Sequence, residues 1–139
     1  MSEAKAGTGP GGRPRPLSPH VQVWRWHITM LSSILHRATG VALYAGALIL
    51  AGWCVSLASG AECYGAYKAV LGSLPGKVVL FGLTFSAFYH LANGVRHLAW
   101  DLGLGFTPRT ADTTGAATLA FGAAAAIAVW VIAAMTGAL

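Results

Sequence analysis

The chain has 139 residues, 55% of them hydrophobic and only 9% charged, proportions that exclude an ordinary soluble domain and make a bilayer its solvent. Its formal net charge of +5 is not interleaved into a stripe that could track a phosphate backbone, which excludes nucleic acid as the partner. Cys54 and Cys63 give no CxxC, no CxxCH and no metal spacing, and no disulfide is expected between them.

Residues 1–20 carry Gly7, Pro10, Gly11, Gly12, Pro14, Pro16 and Pro19 and no apolar period, so a flexible arm on the aqueous surface is expected. No apolar core of a signal peptide is visible there, and Glu3 and the shortness of the stretch argue against an organelle transit peptide. The following VQVWRWHITM places Trp24 and Trp26 around Arg25, a headgroup-level mixture that reads as an interfacial lead-in.

From there residues 21–139 read as a three-helix transmembrane domain. Windows free of formal charge run from Ala38 to Ala61 (24 residues), Val78 to Val95 (18) and Thr113 to Leu139 (27), and roughly 20 apolar residues span a hydrocarbon core. The first helix is expected over about residues 29–59, with Gly40, Gly46, Ala47, Ala51 and Gly52 offering close approach to neighbours. A loop with a short helix around Tyr64 to Leu71 follows, and Leu74-Pro75-Gly76 sets up a second helix over about 77–102. Pro108 closes the next loop, and a third helix over about 114–138, without charge or histidine, is assigned to packing. The expected class is an all-α membrane protein with three transmembrane helices.

Arg13, Arg15, Arg25 and Arg37 precede or open the first span, whereas the loop after it carries Lys68 and Lys77 with Glu62. The positive-inside rule puts the N-terminus in the cytoplasm or the equivalent matrix side, and a bacterial inner membrane is the simpler address than a mitochondrial one.

Bilayers seldom tolerate polar groups without a use for them, and the second span carries several. At 100° per residue His90, Gly94, His97 and Asp101 fall within about 60° of one another and form a polar seam. His90 has two readings: a hydrogen bond to a carbonyl of a neighbouring helix, or an iron ligand, with Phe85, Phe88, Leu91 and Gly94 giving apolar area and room for a flat macrocycle. His97 sits about 10 Å from His90 along the helix, too far to share one iron. His20, His27 and His36 are expected near the inner surface and His90 about 16 Å up-helix from Asp101, so a second axial ligand is expected from another subunit. Ser33, His36, Arg37 and Gly40 share a face of the first helix, and with Arg96 and His97 arriving at the same depth a cationic cluster is expected at the inner leaflet. It would suit anionic groups such as haem propionates, unless its arginines only snorkel to headgroups. Asp101 is either paired with a local arginine or a proton carrier at the water boundary.

Taken together, SPHVQVWRWHITMLSSILHRATG from Ser18 and YHLANGVRHLAWDLG from Tyr89 resemble the large cytochrome b anchor subunits of succinate dehydrogenase, also called succinate:quinone oxidoreductase or respiratory complex II. The resemblance covers roughly Arg15 to Gly105. It implies half of a heterodimeric haem-binding helical bundle, paired with a second small membrane-anchor subunit that supplies the other haem ligand. It also implies flavoprotein and iron-sulfur subunits docked on the cytoplasmic or matrix side, passing electrons from succinate to ubiquinone, with no residue catalytic in this chain alone. By motif position His90 resembles the axial ligand of one haem b; His36, Arg37 and His97 resemble the propionate side; Ser33 with Arg37 resembles the quinone-site pair, and Ile34 an apolar wall of that site. Asp101 is the candidate proton relay. The competing readings are a structural anchor without haem, or a small ion-conducting subunit built around His90, His97 and Asp101.

Overall fold

The computed structural model describes residue 12 and residues 25–137. The expected arm over 1–20 lies, apart from residue 12, outside the described residues, as do Arg13, Arg15, His20 and the start of the interfacial segment at 21–24.

Four helices make up the described chain: α1 (Ile28–Ala58), α2 (Ala61–Gly72), α3 (Leu74–Asp101) and α4 (Pro108–Met135), with no strand among the described residues. α1, α3 and α4 have 31, 28 and 28 residues and are apolar enough to cross a membrane; at about 1.5 Å per residue each exceeds the roughly 30 Å hydrocarbon thickness. α2 is the short connecting helix.

Two of these helices begin before the residues at which the sequence places them, for one reason. Ser73 caps α3, its Oγ accepting from the backbone N–H of Gly76 at 3.3 Å, and Thr107 caps α4, its Oγ1 accepting from Thr110 N–H at 3.4 Å. Proline then follows within the first turn, where a missing N–H costs nothing and the fixed φ suits the helix. Leu74-Pro75-Gly76 is therefore the first turn of α3 and not a loop, and Pro108 opens α4. The last helix, expected from about 114 and free of charge, carries Arg109 and Asp112 in its first turns. Between α3 and α4, Gly103 takes φ +78°, its N–H bonds the Trp100 carbonyl at 2.8 Å, and the Leu104 N–H reaches back to Ala99 at 3.0 Å. This closes the open carbonyls of α3 in a Schellman turn that a side chain at Gly103 would strain.

α3 is the central element, packed against α1, α2 and α4. The interior of the bundle is small and polar: the fully or largely buried residues are Ser32, Thr39 and Ser56 of α1, Ser86, Tyr89, Asn93 and Arg96 of α3, and Gly115, Thr118, Gly122 and Ala126 of α4. Large apolar side chains such as Val41, Leu48, Leu91, Leu98 and Met135 face outward instead. Lipid tails are as apolar as leucine, so helices in a bilayer associate through close packing of small residues and through interhelical hydrogen bonds. At Gly122 a Cβ would lie 2.8 Å from Tyr89 Cβ and 3.0 Å from its Cα, so α4 rides directly on the backbone of α3. At Gly46 and Gly52 of α1 the neighbours are Leu83 of α3 and the Tyr67 hydroxyl of α2, each 2.9 Å from an added Cβ. Cys54 and Cys63 are free and exposed.

Candidate functional site

Three imidazoles converge where α1 crosses α3. The His36 ring of α1 stacks on His90 of α3 with centroids 3.9 Å apart and planes 11° from parallel, and on its other flank His97 lies at 4.9 Å and 22°. Trp100 closes the row edge-on to His97 at 5.1 Å. The crossing is tight because position 40 is glycine: a Cβ there would sit 3.1 Å from His90 Cε1.

Hydrogen bonding distinguishes the two nitrogens of His90. Nδ1 lies 3.1 Å from the His36 carbonyl oxygen and 3.2 Å from Thr39 Oγ1. A carbonyl only accepts, so Nδ1 carries the proton and Nε2 keeps the lone pair. Nε2 makes no hydrogen bond with any described residue and is not sealed in the interior. His97 has the same arrangement: Nδ1 donates to the Asn93 carbonyl at 2.7 Å, leaving Nε2 as the acceptor. His36 Nδ1 is buried with no partner.

This placement corrects one expectation from the sequence. His36 was expected near the inner surface and His90 near mid-bilayer, yet their rings are in van der Waals contact. The antiparallel helices explain it: His36 lies eight residues inside α1, about 12 Å, and His90 eleven residues from the end of α3, about 16 Å, so the two depths nearly coincide.

Arg96 does not join the expected cationic cluster. It is buried, turned about 100° from His97, and ties the three spans together. Nε donates to Thr114 Oγ1 at 3.0 Å and Nη2 to the Ala111 carbonyl at 2.7 Å, both on α4; Nη1 donates to Asn93 Oδ1 at 3.3 Å and to Ser32 Oγ of α1 at 3.4 Å. The guanidinium also lies over the Trp100 ring at 3.9 Å. Asn93 Oδ1 accepts from Ser32 Oγ at 3.0 Å, and the Tyr89 hydroxyl donates to the Ser32 carbonyl at 2.8 Å. Hydrogen bonds on every side are what allow a cation to stay away from water, so snorkelling to headgroups is not its role.

The remaining expected residues lie beside the histidine row. Ser33 is half-buried, Ile34 and Arg37 are exposed, and none of the three makes a side-chain hydrogen bond with a described residue. They form a strip of α1 next to His36, with Ser33 and Arg37 one turn apart. Asp101 is exposed at the last position of α3 and has no ion pair or hydrogen bond among the described residues. His27 precedes α1 and is exposed, away from the row.

Ser32, Thr39, Tyr89 and Asn93 position this site and went unnoticed as neutral polar residues. A signal existed: Ser86, Tyr89, Asn93 and Arg96 follow the three-four-three spacing of one buried helix face. Among the described residues no group of three or more His, Cys, Asp or Glu has metal-holding geometry. One turn beyond His90, a Cβ at Gly94 would meet nothing within 4 Å, so the helix surface there is open to a flat ligand. Tautomer, accessible lone pair and open flank together fit an axial haem ligand.

Over residues 12–129 the chain matches the family described as succinate dehydrogenase/fumarate reductase transmembrane subunit. It is similar to the succinate dehydrogenase cytochrome b556 subunit of Rickettsia bellii, 39% identical over 117 residues that make up 84% of this chain and 91% of the relative. The cytochrome b556 subunit of Rickettsia felis is 39% identical over 101 residues, 73% of this chain and 78% of that protein. The mitochondrial succinate dehydrogenase cytochrome b560 subunit of Sus scrofa is 40% identical over 100 residues, 69% of this chain and 58% of that protein.

Proposed function

The chain belongs to the succinate dehydrogenase/fumarate reductase transmembrane subunit family, and from that premise we propose that it holds one haem b through His90 and builds one wall of a ubiquinone-reduction site. It is a membrane-anchor subunit of an oxidoreductase complex and is not catalytic alone. The observation that carries the proposal is the bond from His90 Nδ1–H to the His36 carbonyl, which fixes ring and tautomer and leaves Nε2 for iron.

When bound, haem b supplies a one-electron carrier within the membrane. His90 would hold the group, and the His36 carbonyl orients the ring and raises the basicity of Nε2 by accepting from Nδ1–H. His36 stacks its ring face to face on His90 and would not hold the same iron with it. The other protein ligand to the haem would come from the second small membrane-anchor subunit. Arg37, His36 and His97 serve the propionates, Arg37 by its permanent charge. His97 does so only when Nε2 also carries a proton, since Nδ1–H is committed to Asn93.

At the quinone site, the Ser33 hydroxyl has no partner among the described residues and donates to a quinone carbonyl. Arg37, one turn on, stabilises negative charge developing on that oxygen, and Ile34 supplies apolar surface. Asp101, exposed and unpaired among the described residues, carries protons at the water boundary. The N-terminus of α1 then faces the cytoplasm of a bacterium, where the flavoprotein and iron-sulfur subunits dock.

A second reading rests on the same bond, because a haem-free anchor would also use His90 to join α1 to α3. Purification of the intact complex separates them. The proposal expects flavoprotein and iron-sulfur subunits to co-purify together with a b-type band in the reduced-minus-oxidised spectrum; a complete complex without that band leaves only the haem-free anchor.

A further inference from the structure

At the end of the bundle remote from the histidines, all four helices bound a cavity of about 250 Å³. Its walls include Trp53 of α1, Lys68 and Leu71 of α2, Lys77 and Leu80 of α3, and Trp130 of α4. The Trp130 indole is held in place, its Nε1–H donating to Thr84 Oγ1 at 3.2 Å and its ring edge-on to Phe81 at 5.5 Å. Lys68 and Lys77 border this one space, Lys77 half-buried, and neither has an ion pair or hydrogen bond among the described residues. Lys68, exposed, and Lys77, half-buried, thus bring two positive charges to one mostly apolar cavity, and an anion seated there is attracted by both.

The walls decide which anion. Indole and leucine surface gives phosphate oxygens little to bond beyond the two lysines, so a small soluble anion would exchange its hydration for apolar wall. Tryptophans at the ends of α1 and α4 mark the headgroup level of the membrane. A second, apolar cleft of about 390 Å³ runs between Ile49, Val70 and Val79 and shares Leu71 with the first. The Tyr67 hydroxyl pins α2 between the two by donating to the Ile49 carbonyl at 2.6 Å. We propose that Lys68 and Lys77 seat the phosphate of an anionic phospholipid, whose acyl chain lies along the apolar surface beside α2. The site is independent of the haem and quinone residues.

The test uses the assembled complex, purified in detergent, stripped of lipid and mixed with vesicles of either phosphatidylglycerol or phosphatidylcholine before re-isolation. Lipid carried through re-isolation is counted by native mass spectrometry. Phosphatidylglycerol is retained over phosphatidylcholine by the wild type, and the Lys68→Gln/Lys77→Gln double variant loses roughly thirtyfold in that retention. Lys68→Arg/Lys77→Arg restores it. A reading that needs no variant is salt: raising it from about 0.1 M to about 1 M releases the lipid from wild type. Equal retention of the two lipids, or retention indifferent to salt and to the double variant, overturns the proposal. So does inorganic phosphate alone displacing the lipid and stabilising the stripped complex as well as the vesicles do, which would make the pocket a free-anion site.

Discussion

Gly122→Ala tests the contact on which the α3 face depends. The added methyl would sit 2.8 Å from Tyr89 Cβ, 3.0 Å from Tyr89 Cα and 3.1 Å from its backbone nitrogen, where ordinary contact begins near 3.4 Å. Two of the three obstacles are main chain, so no rotamer relieves them and α4 must retreat from α3 by about 0.6 Å. Overpacking of this kind costs about 1–3 kcal/mol, offset by about 0.5–1 kcal/mol because alanine is the better helix residue. The net expectation is a loss of about 1–2 kcal/mol. Gly82→Ala supplies the control, since its Cβ meets nothing within 4 Å and only the helix gain applies. Thermal denaturation of the assembled complex followed by helical ellipticity should place Gly122→Ala about 3–6 °C below wild type and Gly82→Ala level with it or above. A Gly122→Ala midpoint equal to that of Gly82→Ala would refute the close approach of α4 to Tyr89 and the packing derived from it.

Ser33→Ala and Arg37→Ala should each reduce succinate-driven quinone reduction by about tenfold or more while leaving succinate oxidation by a dye acceptor intact, read in parallel assays on one preparation. Equal loss of both activities would instead mean failed assembly. Gly94→Leu adds bulk where a Cβ meets nothing within 4 Å, so it should lower haem content per complex while the midpoint of helix unfolding stays near wild type; haem extracted and quantified against subunit protein checks it. Asn93→Leu removes the acceptor shared by Ser32 and Arg96 from a fully buried position. It should destabilise the complex by about 1–3 kcal/mol, whereas Asn93→Asp, which keeps the acceptor beside Arg96, should recover most of the loss in the same thermal scan.

The three spans were legible because hydropathy alone sets them, and the short α2 was legible from the polar break that precedes it. The depth of the site was not. Placing His36 against His90 needed the crossing of α1 over α3, made possible by Gly40. Arg96 was misplaced because charge in a membrane draws attention to the boundary, whereas its neighbours in space, Thr114 and the Ala111 carbonyl, lie on a helix whose first turns were read as loop. Ser32 and Asn93 are individually unremarkable and gain meaning only when the two helices meet. The residues proposed for the quinone site come from the motif alone, since a half-buried serine and an exposed arginine carry no signal of their partners.

The most direct measurement compares His90→Ala with His97→Ala in the purified complex at equal subunit stoichiometry, by the reduced-minus-oxidised difference spectrum. Both histidines donate Nδ1–H to a carbonyl and both stand beside His36, so the comparison isolates the one imidazole assigned to iron. Loss or a pronounced shift of the b-type band in His90→Ala, with the band retained in His97→Ala, is the predicted result. An undiminished, unshifted band in His90→Ala would contradict the assignment of His90 as the ligand this chain gives to haem.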